Sequence, residues 1–209
     1  MNLNKTEIET LEKTYRLNLI NSISGVKPAN LIGTKSKSGQ ENLAIFSSVV
    51  HLGSNPAQLA FVLRPQEERE TDTFRNITET EVYTINHVPK SLIEKAHYTS
   101  AKLPTEVSEF EKMAIEQEYF NDFFAPFVKE SPVKMGMKLD HIIELPNNCK
   151  FIIGIVQQLI LSDEAVNDLG QIDLEVCNST GISGLNTYYS LEKLETFPYV
   201  RENEIPDFR

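Results

Sequence analysis

Lysines, hydroxyls and amides crowd one stretch of this sequence. Between residues 25 and 48 stand Lys27, Lys35 and Lys37 against a lone acid, Glu41, with Ser36, Ser38, Ser47 and Ser48 interleaved. Several donors beside fixed positive charge suit a phosphate monoester, which takes several hydrogen bonds at once. The same residues suit a solvated hairpin tip, the commoner use of such a run. Within it, Asn42, Ala44 and Phe46 alternate with Leu43, Ile45 and Ser47, so a strand here shows the two sets on opposite faces. A small residue between an amide and an aromatic lets a flat ring lie close to the strand. Core packing asks for the same pattern, and on pattern alone it is the better account.

Further chemistry-bearing residues follow. The run TDTFRNIT (71–78) opens with capping residue types, and Thr73 is expected to cap a short helix whose first turn could offer donors to an anion. Arg64 carries a fork of donors suited to phosphate, or it pairs with Glu67, Glu68 or Glu70. His97 starts the run HYTSAK (97–102), where Thr99, Ser100 and Lys102 add polar groups at a helix end. It serves there either the helix dipole or a cofactor. The histidines at 51, 87, 97 and 141 lack metal-helix spacing, so no metal is expected. GxSxG, GxGxxG and GxxxxGK[ST] are absent, which disfavours a nucleophile elbow, a Rossmann site and a P-loop. Glu106, Glu109, Glu111, Glu116 and Glu118 are expected on one solvated helix face. The sequons at 76–78 and 178–180 are read as chance matches.

The elements that must position these residues are mostly strands. β-type runs stand at 29–34, 42–50, 58–63, 82–86, 133–145 and 150–161, with a shorter one at 174–177. Helical spacing is expected from Ile8 to Gly25, at 73–79, at 91–96 after Pro89, and from Val107 to Phe124, where Pro126 ends it. Helices inserted between groups of strands do not read as βαβ winding. The expectation is a mainly β fold with peripheral helices, an antiparallel barrel in one domain over 1–209. Residues 1–24 form an N-terminal helical extension and 89–125 a helical insertion.

Composition narrows the partners. Thirty acids against twenty bases give a net charge of -10 over 209 residues, which argues against broad binding to nucleic acid or an anionic membrane. Cys149 and Cys177 form neither a disulfide framework nor a CxxC motif, and they are expected as small core residues. The first residues are charged and show no apolar run of signal or membrane length, so a reduced, cytoplasmic protein is expected.

Several short motifs, in this order, resemble the flavin reductase-like, FMN-binding split-barrel proteins: KPANLIGTK (27–35), GQENLAIFSS (39–48), TDTFRNI (71–77), YTINH (83–87), HYTSAK (97–102) and GLNTYY (184–189). The resemblance implies a homodimer of split barrels holding FMN, with FAD less favoured. It places Asn42, Leu43, Ala44 and Phe46 along the flavin ring. Ser47, Ser48, Arg64 and Thr73 become candidates for the ribityl chain and phosphate, and His97, Thr99, Ser100 and Lys102 for contacts from either subunit. Asn76 and Asn86 brace the site. Gln58 stands where many relatives carry Pro or a small apolar residue. The implied activity moves electrons from NADH or NADPH to flavin or a small-molecule acceptor, the chemistry residing mostly in the cofactor. The alternatives are an FMN electron carrier without nicotinamide turnover and a barrel that has lost its cofactor. A pyridoxamine-phosphate-oxidase-like barrel ranks lower, for want of an arginine- and histidine-rich substrate site.

Overall fold

The computed structural model describes residues 1–66 and 70–208. Two short helices, α1 (Lys5–Thr10) and α2 (Lys13–Ser22), precede strands β1 (Lys27–Pro28), β2 (Asn30–Lys35), β3 (Glu41–Phe46), β4 (Val50–Ser54) and β5 (Ala57–Leu63). Helix α3 (Asp72–Thr80) leads to β6 (Val82–His87). An insert then carries α4 (Ile93–Tyr98), α5 (Glu109–Lys112), β7 (Gln117–Glu118) and β8 (Phe127–Val128). The long pair β9 (Val133–Glu144) and β10 (Lys150–Leu161) follows, and β11 (Thr180–Ser183) and β12 (Thr187–Ser190) end the regular structure before an extended tail.

Seven strands form one antiparallel sheet in the order β3-β2-β6-β9-β10-β5-β4. Its two edges, β3 and β4, are consecutive in sequence, so the sheet curls toward closure without completing a ladder. Ser48 lies in that gap. Its Oγ accepts from Val62 N (3.0 Å) and donates to Val62 O (3.2 Å), doing with one side chain what a paired backbone does elsewhere.

Alternation sorts the apolar residues into two cores. Ile32, Phe61, Tyr83, Ile85, Met137 and Ile152 fill the barrel, and Ile77 of α3 packs among them. Leu31 and Leu43, from the opposite face of β2 and β3, pack under the insert with Leu92, Ala96 and Phe110. Close approach of insert and sheet depends on Gly33. A Cβ there would lie 2.4 Å from Pro126 O and 2.6 Å from Thr84 Oγ1. Gly33→Ala is therefore expected to cost about 2–3 kcal/mol by overpacking, read as a lower urea midpoint at unchanged slope.

Three expected elements differ. The helix expected at 107–124 exists only as α5, and Ala114, Asn121 and Asp122 take positive φ (48°, 48° and 57°), which no helix continues through. The apolar residues spaced for a helix instead stack a loop, with Phe120 and Phe123 at 5.6 and 5.4 Å from the Phe127 ring. The first helix is broken, because the Glu12 carboxylate caps a new start by accepting from Thr14 N and Tyr15 N. Residues 174–177 turn rather than extend, since Asp173 Oδ1 accepts from Glu175 N and Val176 N, both at 3.0 Å. Cys177 is buried in the barrel core, and Cys149 is half-buried in the β9–β10 turn.

Candidate functional site

β3 pairs with β2 so that Asn42 faces Thr34, Ala44 faces Ile32 and Phe46 faces Asn30. Asn42 is buried and its amide is spent on bracing: Nδ2 donates to Thr34 Oγ1 (3.3 Å) and Thr73 Oγ1 (3.1 Å). Asn76 Nδ2 donates to the same Thr34 hydroxyl at 3.1 Å. Four side chains thus lock α3 onto the β2–β3 hairpin. Asn86 braces the other side, donating to Leu31 O and Thr84 Oγ1 and accepting from Val128 N. Ala44, Phe46 and Ser47 stay half-buried, and the Phe46 ring meets Phe61 edge-on at 5.0 Å.

The outer edge of β3 is capped by a side chain. Leu43 N donates to Glu109 Oε2 at 3.0 Å, and Glu109 is buried, only 7% exposed. The acid expected on a solvated face is instead an internal acceptor that replaces a missing strand. Burial pushes its carboxyl above the usual range, Asp72 adds to the rise, and the N–H groups of Leu43 and Glu109 oppose it. The folded state holds this proton more tightly than the unfolded chain. Its contribution to stability therefore falls as pH rises from the ordinary carboxylate range through the raised value, and stays low above it. Glu109→Gln keeps an acceptor without the charge, so its stability relative to the parent is expected to be greater at pH 8 than at pH 4.5. Glu109→Leu leaves Leu43 N–H unpaired and is expected to cost about 1–3 kcal/mol. Urea midpoints at the two pH values test both.

The basic hairpin tip is largely occupied by its own surroundings. Lys35 Nζ sits 3.2 Å from Tyr119 Oη and 4.4 Å over the rings of both Tyr119 and Phe124. Tyr119 in turn donates to Glu41. Ser36 and Ser38 bond to each other at 2.9 Å, and Ser36 Oγ accepts from Gln40 N. Lys37 remains exposed. A cavity of about 210 Å³ lies between this tip, α3 and residues 105–107, with Asn42, Asp72, Arg75 and Asn76 in its wall.

At α3, Thr71 rather than Thr73 is the cap: its Oγ1 accepts from Phe74 N. Asp72 already supplies an acid to the first turn and pairs with Arg75, which disfavours an anion there. Arg64 is exposed just beyond β5. Its expected partners Glu67 and Glu68 lie outside the described residues. The 97–102 group lies apart, on the insert. His97 Nδ1 is 3.2 Å from Tyr188 Oη, while Thr99 Oγ1 donates to Ala96 O and Ser100 Oγ to His97 O, closing α4. Lys102 is exposed. The structure therefore gathers Asn42, Thr73, Thr34 and Asn76 into one brace, and Phe46 with Ser48 against β5. It sets the His97 group beside β12. Thr34 and Tyr119 went unassigned by the sequence, and Glu109 was expected on a solvated face; no spacing marks a carboxylate that caps a strand edge. Among the described residues, no three or more His, Cys, Asp or Glu side chains are placed to hold a metal, and no helix is long and apolar enough to cross a membrane.

A curled antiparallel sheet, a short helix packed in its core and a half-open stretch of edge strand define a split barrel. The profile of the flavin reductase like domain matches residues 26–178, and the chain belongs to that family. A Shewanella frigidimarina crystal structure, provisionally assigned as a flavin reductase with a split barrel domain, superposes with TM-score 0.91 at 45% identity over 96% of this chain and 100% of that one. Flavoredoxin of Desulfovibrio vulgaris (Miyazaki F) shares the fold at TM-score 0.72 and 22% identity, over 83% of this chain and 91% of that one. An uncharacterized protein of Aquifex aeolicus is 31% identical over 114 residues, 54% of this chain and 58% of that protein. The chain thus spans less than two thirds of that relative's length.

Proposed function

We propose that this chain is an FMN-binding oxidoreductase of the flavin reductase type, working as a cytoplasmic homodimer and drawing electrons from NADH or NADPH. Membership of the flavin reductase like family over residues 26–178 carries the reading. The residues present fit a flavin. β3 offers a small, half-buried residue, Ala44, between Asn42 and Phe46, where a planar ring can approach, and Ser47 and exposed Arg64 are a donor and a cation for a phosphate. Ala44, Phe46, Ser47 and Arg64 would hold the group. Asn42, Thr73, Ser48 and Glu109 keep the strand in place behind it. A bound flavin supplies hydride or single-electron chemistry. The chain's part is to orient the ring and to shield it from water.

The test is the visible absorption of freshly purified protein, followed anaerobically with NADH and then NADPH. Flavin bands that bleach with either donor support the reading. Bands that persist until dithionite is added turn it into an electron carrier. Colourless protein that takes up neither FMN nor FAD overturns it.

A further inference from the structure

Both ends of the chain lie on the outside: in α2 Arg16, Leu19 and Asn21 are only half-buried and the other seven residues are exposed. Helix α2 has ten residues and none of them is buried, and α1 buries none either. A ten-residue helix without tertiary packing is marginal in water. Yet α2 carries Tyr15, Leu17 and Ile20 exposed. At the other end the chain is pinned by Lys193, whose N donates to Glu175 Oε2 (3.3 Å) and whose Nζ lies 3.6 Å from Asp173. Beyond that anchor residues 194–208 run largely without regular structure, and Leu194, Phe197 and Tyr199 are 88%, 78% and 91% exposed. Large apolar side chains held out in this way on a marginal backbone demand a covering surface.

The size of the missing cover identifies it. The chain exposes 13211 Å². A compact monomer of this mass exposes about 9,800 Å², leaving a surplus of roughly 3,400 Å². Two copies that each bury such a surplus form an interface in the range of obligate homodimers, above the roughly 1,600 Å² of standard-size stable complexes. A chain at net charge -10, whose tail itself carries Glu195, Glu202, Glu204 and Asp207, is a poor match for an anionic lipid surface. We infer that α1–α2 and the 194–208 arm are intersubunit elements: each protomer reaches with them over the body of a second copy of this chain. The inference rests on the dimer in the function proposed above, and not on the flavin.

Two full-length variants test it. The triple substitution Leu194→Ser, Phe197→Ser, Tyr199→Ser changes only exposed side chains. Sedimentation over a dilution series is expected to show a dimer for the parent and a dissociation constant raised about 100-fold for the variant, since apolar anchors dominate such interfaces. In the second variant, Phe197→p-benzoylphenylalanine, irradiation is expected to give a covalent dimer band whose cross-link joins two copies. A parent that is monomeric at micromolar concentration overturns the dimer and the inference together. A dimeric parent with an unchanged constant in the triple variant, or with cross-links confined to one chain, overturns the arm alone. Neither readout depends on flavin, so a colourless protein that dimerises through its arms fails only the cofactor reading.

Discussion

Ala44→Leu is expected to leave a folded barrel that no longer takes up flavin, with affinity lowered at least about 100-fold. Ala44 lies on β3 opposite Ile32, half-buried, with buried Asn42 before it and Phe46 after it on the same face. A leucine adds three heavy atoms where a planar ring would approach the strand, and a ring displaced by that much loses its dispersion contacts with the backbone. The strand itself does not depend on the side chain at 44. Its hold comes from the β2 ladder, the Asn42–Thr34–Thr73 hydrogen bonds and the Glu109 cap on Leu43. Fluorescence titration with FMN reads the affinity, and thermal unfolding reads the fold. Ala44→Ser, nearly the same size, is expected to bind normally and controls for disturbance of the strand. Normal stoichiometry in Ala44→Leu would remove the ring from β3. A loss shared equally by Ala44→Ser would move the cause from bulk to strand integrity.

What was legible in the sequence divides along a physical line. The β9–β10 hairpin was readable because both strands are long and Pro146-Asn147-Asn148 marks the turn between them. Likewise β2, β5 and β6 carry their own pattern. The 107–124 segment was misread for the converse reason. Its apolar spacing suits a helix, but Phe120 and Phe123 find a better partner in Phe127, and the chain takes left-handed turns at Asn121 and Asp122 to reach it. Long-range contacts outweighed local propensity there. In the candidate site, the alternation of Asn42, Ala44 and Phe46 was visible, while the work each residue does was not. Asn42 answers to Thr73, 31 residues away, and Leu43 to Glu109, 66 residues away. A buried acceptor leaves no local trace in its own neighbourhood of sequence.

The second large effect concerns pH, and here a residue outside the candidate site decides it. His87 ends β6 opposite Asn30, with Nδ1 3.2 Å from Ser179 Oγ and its own carbonyl accepting from Ser131 Oγ. Burial holds the imidazole neutral and lowers its pKa from 6.5 to about 4. In the unfolded chain the ring protonates near 6.5, so between 6.5 and 4 the unfolded state binds a proton that the folded state refuses. Stability is therefore fully present above pH 6.5 and falls as pH drops toward 4, by about 3 kcal/mol from this one group. For a chain of this length that is a fall in Tm of about 6–12 °C. Glu109 acts in the opposite sense, its cost disappearing as it protonates, and Glu12, Glu116 and Asp173, held low by their partners, lose stabilisation on the same descent as His87. The total profile mixes these signs, so the decisive quantity is a difference between two proteins. His87→Asn keeps a polar group near Ser179 and cannot titrate. Measured by urea unfolding from pH 7.5 to 4, its stability is expected to start below that of the parent and to close the gap by about 3 kcal/mol as the pH falls. Parallel profiles would mean that the folded barrel accepts the proton on His87 as readily as water does.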